Sequence, residues 1–180
     1  MDLKSSFVGS PTENAAVRNP GPVTVLQPVE KTLVLPYPIS ANRYWKIIRL
    51  GNGANARSLN APTSEAKAYK RDVAYAAMAA KVKPLDGRVF VSIKLYPDRP
   101  LDWQKRARLR PDDWDDSVRC IDLDNCSKVL HDALNGVAWH DDKQIRRIEL
   151  ERMEPDAHGA RVVITFRAFE QVVTAPELPL

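Results

Sequence analysis

Apolar and polar residues alternate with period two in several segments, which predicts β-strands. Such alternation predicts a strand from Arg88 to Tyr96, and segments 144–153 and 160–169 have strand composition as well. The last two segments are expected to form a hairpin around residues 154–159. A shorter run, Thr32 to Leu35, predicts a first strand that Pro36 and Pro38 end.

Apolar residues spaced three and four apart predict two main helices. The first spans about residues 64–83, with Thr63 or Ser64 as its cap and Pro84 and Gly87 beyond its end. The second spans about residues 124–135 and ends at Gly136. Its expected buried face consists of Cys126, Val129, Leu130, Ala133, Leu134 and Val137. The order strand, helix, strand, helix, strand, strand predicts a compact α/β (α+β) domain.

The remaining segments are polar, charged or rich in proline. Residues 1–30 are expected to form a disordered or loosely ordered arm, and residues 173–180 a flexible tail, which leaves a domain of residues 31–172. Residues 41–63 predict a long polar loop or an irregular hairpin. Residues 98–119 predict a long charged loop that carries six acidic and six basic residues.

Composition limits the possible surroundings and partners of the chain. The net charge of +4 and pI near 9.1 permit a polyanionic partner such as nucleic acid, although a slightly basic surface explains them equally well. No apolar run is long enough to span a membrane, and the N-terminus lacks a signal-peptide core. These features favour a cytoplasmic location.

The two cysteines are expected to be free thiols in a reducing compartment. A zinc site made of Cys120, Cys126, His131 and His140 is the alternative. Its cysteine spacing is wider than the usual spacing in structural zinc pairs, which disfavours a zinc-stabilised regulatory domain.

An acidic cluster in residues 120–142 is the most informative feature of this basic chain. If the backbone before the second helix is extended, Asp122 and Asp124 point the same way, and Lys128 lies one turn from Asp124. Further along, one member of the pair Asp141 and Asp142 can turn inward while the other stays solvated.

Carboxylates that converge in this way need a proton or a cation. Two like charges 4 Å apart repel by roughly 4 kcal/mol at an effective dielectric constant of about 20. Oxygen ligands suit Mg²⁺ or Mn²⁺, and a metal with a neighbouring lysine suits phosphodiester hydrolysis. The alternative is a solvated helix face held by pairs four residues apart.

Several motifs together resemble the RusA family of Holliday-junction resolvases. They are DLDN (Asp122–Asn125) with Lys128 after it, DALNG (Asp132–Gly136), WHDD (Trp139–Asp142) and LPYPISANRYW (Leu35–Trp45). The resemblance covers about residues 32–168. It implies a small mixed β-sheet with two main helices, a homodimer, and endonucleolytic cutting of four-way junction DNA in recombination and repair. Small resolvases of this kind are often of phage or prophage origin.

The resemblance also implies roles for individual residues. Asp122, Asp124 and Asp142 correspond to the metal ligands, with Asp141 as the lesser member of its pair. Lys128 corresponds to the catalytic or phosphate-contacting base. Mg²⁺ is the implied cofactor, for which Mn²⁺ can substitute.

Basic and aromatic side chains outside the acidic cluster are candidates for DNA binding. NRYWK, residues 42–46, suits phosphate contact and base stacking, although Trp45 could equally pack beneath the loop. The expected DNA-binding set is Asn42, Arg43, Trp45, Lys46, Lys67, Arg71 and Lys128.

Two features depart from the family pattern. The N-terminal arm is additional, and the charged segment 98–119 is longer than the connection expected there. Its residues Arg106, Arg108 and Arg110 could contact phosphate. A junction-binding protein of the same fold that does not cut is the alternative to an enzyme.

Overall fold

A computed structural model of the chain describes residues 23–26, 28–53, 56–169 and 171–174. It divides into two units, one comprising Gln27–Glu170 and the other Met1–Leu26 together with Gln171–Leu180. The strands are β1 (Val23–Leu26), β2 (Lys31–Pro36), β3 (Trp45–Leu50), β4 (Arg57–Pro62), β5 (Val89–Tyr96), β6 (Ile145–Arg152), β7 (Arg161–Ala168) and β8 (Gln171–Thr174). The helices are α1 (Ala41–Tyr44), α2 (Ser64–Ala79), α3 (Trp103–Leu109) and α4 (Leu123–Leu134).

The smaller unit contains one antiparallel pair, in which Val23 of β1 lies opposite Thr174 of β8. These four-residue strands fall within the predicted arm and at the predicted tail. The rest of the expected arm before residue 23, and of the tail after residue 174, lies outside the described residues.

The larger unit is built on a four-stranded sheet with the order β2-β7-β5-β6. Strand β5 pairs antiparallel with β7 and parallel with β6, so the sheet is mixed. The inward residues of its two central strands are fully buried, namely Val89, Val91, Ile93, Leu95, Val162, Ile164 and Phe166. The predicted fold class, a small mixed sheet with two main helices, is therefore confirmed.

The predicted hairpin around residues 154–159 is wrong, because β5 lies between β6 and β7. The connection over residues 153–160 is longer than the roughly two to five residues of ordinary hairpin loops, so it can cross over one strand. Strand β5 is more apolar than β6 and lies in the interior of the sheet. Most residues of β6 are exposed, which suits an edge strand.

Helix α2 begins as predicted, since the Thr63 side chain accepts a hydrogen bond from the Ala66 N–H at 3.2 Å. It ends at Ala79, earlier than the predicted residue 83. Lys81 N–H donates to the Met78 carbonyl and Val82 N–H to the Ala77 carbonyl, which together form a Schellman motif. Lys81 has the left-handed φ of 52° that this motif requires.

Helix α4 lies close to its predicted bounds, and its apolar stripe is buried. Cys126, Val129, Leu130, Ala133 and Leu134 are all buried, whereas the predicted Val137 is only half-buried. Burying a leucine of this kind contributes about 1.5–3 kcal/mol. Through this stripe α4 packs against α1, α2, β5 and β6.

The segment of residues 41–63 folds as a short helix followed by a hairpin. Helix α1 leads directly into β3, and β3 pairs antiparallel with β4, with Trp45 opposite Pro62. Of the two alternatives that the sequence left open, the hairpin is the one that forms.

The expectation of a loop over residues 98–119 needs correction, because the segment contains α3 and a 3-10 turn at Trp114–Ser117. Trp114 is buried beside the Trp103 ring, with 6.2 Å between the ring centroids. Its indole N–H donates to Glu154 at 3.0 Å. Arg152 donates to two backbone carbonyls of the same segment. These contacts fix a segment that its charge alone predicted to be irregular.

None of the helices in the described part of the chain combines the length and apolar character needed to cross a membrane.

Replacing Lys81 with Gly is expected to stabilise the protein by about 1 kcal/mol, because a side chain is strained at this left-handed φ. Urea unfolding of Lys81→Gly measures this as a higher midpoint. Lys81→Ala is the matched control, since it removes the charge but keeps Cβ, and it should give no such gain. An equal gain in both variants would show that the lysine side chain, rather than its backbone conformation, is the unfavourable feature.

Candidate active site

Helix α4 presents the centre of the candidate site. Its apolar stripe faces the sheet, so Asp124 and Lys128 are turned outward and exposed. Asp122 precedes the helix as its N-cap residue, with an extended backbone and an exposed side chain. An acidic residue at this end is favoured by the positive end of the helix dipole.

The sequence predicted that Asp122 and Asp124 point the same way if the backbone through both is extended. Only Asp122 meets that condition, because the helix already begins at Leu123. The Asp122 carboxylate accepts a hydrogen bond from the Asn125 amide at 3.2 Å.

Asp124 forms an ion pair with Lys128, with 3.0 Å between its Oδ2 and Lys128 Nζ. The hydrogen bond from Lys128 lowers the pKa of Asp124, so the carboxylate is charged at neutral pH. Both side chains are mostly exposed, and such pairs four residues apart contribute little to stability. Each partner can therefore exchange the other for a ligand at small energetic cost.

Asp141 and Asp142 have different roles in the turn before β6. The Asp141 side chain caps this turn by accepting a hydrogen bond from the Lys143 N–H at 2.9 Å, and that bond lowers the pKa of Asp141. Asp142 begins the turn and is exposed. Burial lowers the pKa of His131 on α4, and the charge of Asp142 partly offsets this effect. Asp142 is thus the member of the pair whose charge acts on α4.

A cluster around Asp132 was not anticipated from the sequence. Its Oδ2 accepts a hydrogen bond from the hydroxyl of Tyr44, which is almost fully buried, and forms an ion pair with Lys70 Nζ at 2.8 Å. Burial raises the pKa of Tyr44, and the neighbouring Asp132 raises it further. The only sequence signal was that Asp132 begins the motif DALNG.

Apart from Lys128 on α4, the predicted DNA-binding residues lie on α1, β3 and α2. Asn42, Arg43 and Lys46 are exposed, and Arg43 forms an ion pair with Glu65 at 2.9 Å. Trp45 is half-exposed, and its ring forms a T-shaped pair with Tyr44 at 5.2 Å between centroids. Tyr44 therefore packs inside, whereas Trp45 does not pack beneath the loop and remains accessible.

The remaining basic candidates are on helix α2 and in the segment before α4. Lys67 and Arg71 are exposed on α2. In residues 98–119, Arg106 binds Asp102 and Ser117, and Arg110 binds Asp113, whereas Arg108 is exposed. Acidic neighbours therefore already bind two of the three arginines that the sequence offered for phosphate contact.

No three His, Cys, Asp or Glu side chains gather into a metal-binding group within the described residues. The zinc alternative is therefore not assembled. Cys126 is buried, and burial raises the pKa of its thiol to about 12, while Cys120 accepts a hydrogen bond from Tyr37.

The oxygen donors of Asp122, Asp124 and Asp142 suit Mg²⁺ in their chemistry. Their arrangement is not a closed set of ligands, because Asp124 is bound to Lys128 and Asp122 to Asn125. Binding one cation to all three would require these side chains to exchange their present partners.

Comparison with known proteins identifies the family. The family model for endodeoxyribonuclease RusA matches residues 36–167, which is more than half of the chain and includes α4, Lys128 and all the candidate carboxylates. Comparison with curated proteins gives no match. The matched region contains the helices that carry the candidate site and strands β5 and β6, whereas β2 ends where the match begins. The chain therefore belongs to the RusA family of endodeoxyribonucleases, Holliday-junction resolvases that hydrolyse phosphodiester bonds.

Proposed function

We propose that this protein is a structure-selective, Mg²⁺-dependent endonuclease that resolves Holliday junctions by paired symmetric cuts. The observation that carries the proposal is the family match over residues 36–167, which includes every acidic residue and the lysine that the chemistry needs. The basic composition of the chain, with a net charge of +4, suits a DNA substrate.

Asp122, Asp124 and Asp142 would hold the metal ion in this proposal. When bound, the ion would supply an activated water and neutralise charge on the scissile phosphate. Asp141 is the weaker candidate because its side chain already caps the turn before β6. Asp142 is better placed because its charge acts on His131 of α4.

Lys128 would contact the scissile phosphate and stabilise the extra negative charge of the transition state. Its ammonium group is mostly exposed and is bound to Asp124 at 3.0 Å. If Asp124 served as a metal ligand, Lys128 would be free to contact the DNA. The ion pair would thus keep Lys128 at the site until substrate and metal arrive.

The DNA path would follow the exposed side chains beside α4. Asn42, Lys46 and Lys67 would contact phosphates, and Arg71 would do so from further along α2. Arg43 would have to leave Glu65 to contribute its full charge. Two-fold symmetry of a homodimer would place two such sites on opposite strands of a four-way junction, as paired cutting requires.

A junction-binding protein that does not cut is the alternative function. The observation that favours it is the separation of the carboxylates, none of which belongs to a three-ligand group in the described part of the chain. The two functions differ in whether the carboxylates come together when a cation is supplied.

Cleavage of a labelled four-way junction tests the proposal directly. Incubation with Mg²⁺ should give symmetric nicks on two opposing strands, because each protomer cuts once. The same strands in a linear duplex, and the junction in EDTA, should remain intact. Junction binding without nicks in either Mg²⁺ or Mn²⁺ would favour the non-cutting alternative.

Substitutions on α4 separate catalysis from binding. Asp122→Asn and Asp124→Asn should abolish cutting yet bind the junction as tightly as the wild type or more tightly, because repulsion from phosphate is relieved. Lys128→Ala should lower the cleavage rate by about 100-fold, the usual loss when one group that stabilises transition-state charge is removed.

Single-turnover cleavage and gel-shift titration in EDTA measure the two effects. Glu151→Gln is a control, since Glu151 is an exposed acidic residue on β6 whose ion-pair partner, Lys94, lies outside the proposed site. Equal loss of binding in the α4 variants would assign a structural role to these residues. An unchanged cleavage rate in Lys128→Ala would remove the lysine from the mechanism.

A further inference from the structure

A pocket of about 210 Å³ lies beside Lys128, and the proposed chemistry leaves it unused. It opens between helix α1, the first residue of β3 and helix α4. Its lining residues are Ala41, Tyr44, Trp45, Lys128, Val129 and Asp132. Because Lys128 belongs to the rim, anything that fills the pocket would lie next to a phosphate held by that lysine.

The wall formed by Trp45 is an accessible aromatic surface. Half of the Trp45 side chain is exposed, whereas the neighbouring Tyr44 is 1% exposed and its ring contacts the indole in a T-shaped arrangement. An aromatic ring of this kind, fixed by a neighbour and open on one side, is the usual platform on which an unstacked base lies in single-strand recognition.

The carboxylate of Asp132 forms a polar part of the pocket wall. Other groups bind only one of its two oxygens in the described ranges. Its Oδ2 interacts with both the Tyr44 hydroxyl and Lys70 Nζ. Its Oδ1 makes no hydrogen bond to any side chain or backbone group in the described ranges. The pocket therefore presents a fixed acceptor whose negative charge is already balanced by Lys70.

The volume of the pocket limits its occupant to a small planar group. Pockets for drug-sized molecules usually measure about 300–1,000 Å³. A space of about 210 Å³ with one aromatic wall suits a single base rather than a whole nucleotide. Enzymes that act on a base take it out of the stack into such a pocket, at the lowest energetic cost where the base is already unpaired.

We propose that this pocket binds one unstacked nucleobase of the junction and prefers a base that carries an exocyclic amino group. The proposal rests on the proposed function, because it places the base beside the phosphate that Lys128 contacts. Adenine, cytosine and guanine can each donate an amino N–H to Asp132 Oδ1. Thymine is disfavoured because its N3–H lies between two carbonyl oxygens, which the carboxylate repels.

Trp45→Ala should weaken binding of an intact four-way junction in EDTA by about tenfold, the effect of losing one base–aromatic stack. An abasic site is then moved through the nucleotides nearest the branch point. At the position that enters the pocket, Trp45→Ala should cause no further loss, because the base it would stack on is already absent.

Two further variants make this binding experiment specific. Trp45→Phe keeps an aromatic wall and should bind nearly as well as the wild type. Tyr75→Ala removes an exposed aromatic side chain elsewhere on α2 and should change nothing. Additive losses at every abasic position would overturn the proposal, since the indole would then act independently of any base.

Base preference is tested on junctions whose central nucleotides are randomised and whose cut sites are mapped by sequencing. Wild type should exclude thymine at one fixed position beside the cut phosphate. Asp132→Asn should lose this exclusion, because its side-chain amide can donate to the carbonyl oxygens of thymine. Equal acceptance of all four bases by the wild type would overturn the proposed preference.

These experiments distinguish failure of this inference from failure of the proposed function. If the wild-type protein cuts junctions but the losses are additive and no base is preferred, the proposed function stands and base binding in the pocket is disproved. If the wild-type protein does not cut junctions, the proposed function is disproved. The binding experiment in EDTA still decides whether a base enters the pocket. That experiment also stands on its own if Asp132→Asn fails to fold.

Discussion

The packing of α4 against the sheet is the constraint on which the candidate site depends. Leu130 and Leu134 are fully buried, so the helix cannot rotate without exposing them. That fixed orientation turns Asp124 and Lys128 outward and places Asp132 against Tyr44 and Lys70. The candidate site residues of α4 thus lie on its polar face, and the opposite face of this helix belongs to the core.

The side chains on the polar face of α4 differ in how firmly their contacts hold them. Asp132 is held by a buried tyrosine and a lysine, which makes it a fixed part of the scaffold. Asp124 and Lys128, in contrast, form an exposed pair that solvent and salt weaken. Carboxylates repel one another when no cation lies between them, whereas Asp124 and Lys128 attract, so electrostatics favours this pair.

Local periodicity was enough to predict the elements that carry the site. The stripe from Cys126 to Leu134 identified the buried face of α4. What local pattern could not provide was pairing between distant segments. Strands β6 and β7 are neighbours in sequence, yet β5 separates them, because the more apolar strand occupies the centre of the sheet.

Two further features depended on contacts over long sequence distances. Segment 98–119 was expected to be a loop because of its charge, but Trp114 buries itself and binds Glu154 far along the chain. The contact between Tyr44 and Asp132 joins residues that are 88 positions apart, so no spacing rule could have revealed it. The family motifs identified the acidic residues, whereas only the fold revealed the pocket beside them.

The proposed function requires the carboxylates of Asp122, Asp124 and Asp142 to come together around a metal ion. A crystal structure of the protein grown with Mn²⁺, with the ion located by its anomalous scattering, tests this most directly. We expect one ion bound by Asp122, Asp124 and Asp142 at about 2.0–2.3 Å, distances typical of hard cations with oxygen ligands, with Lys128 released from Asp124. An ion bound elsewhere, or none with the pair of Asp124 and Lys128 intact, would contradict the account.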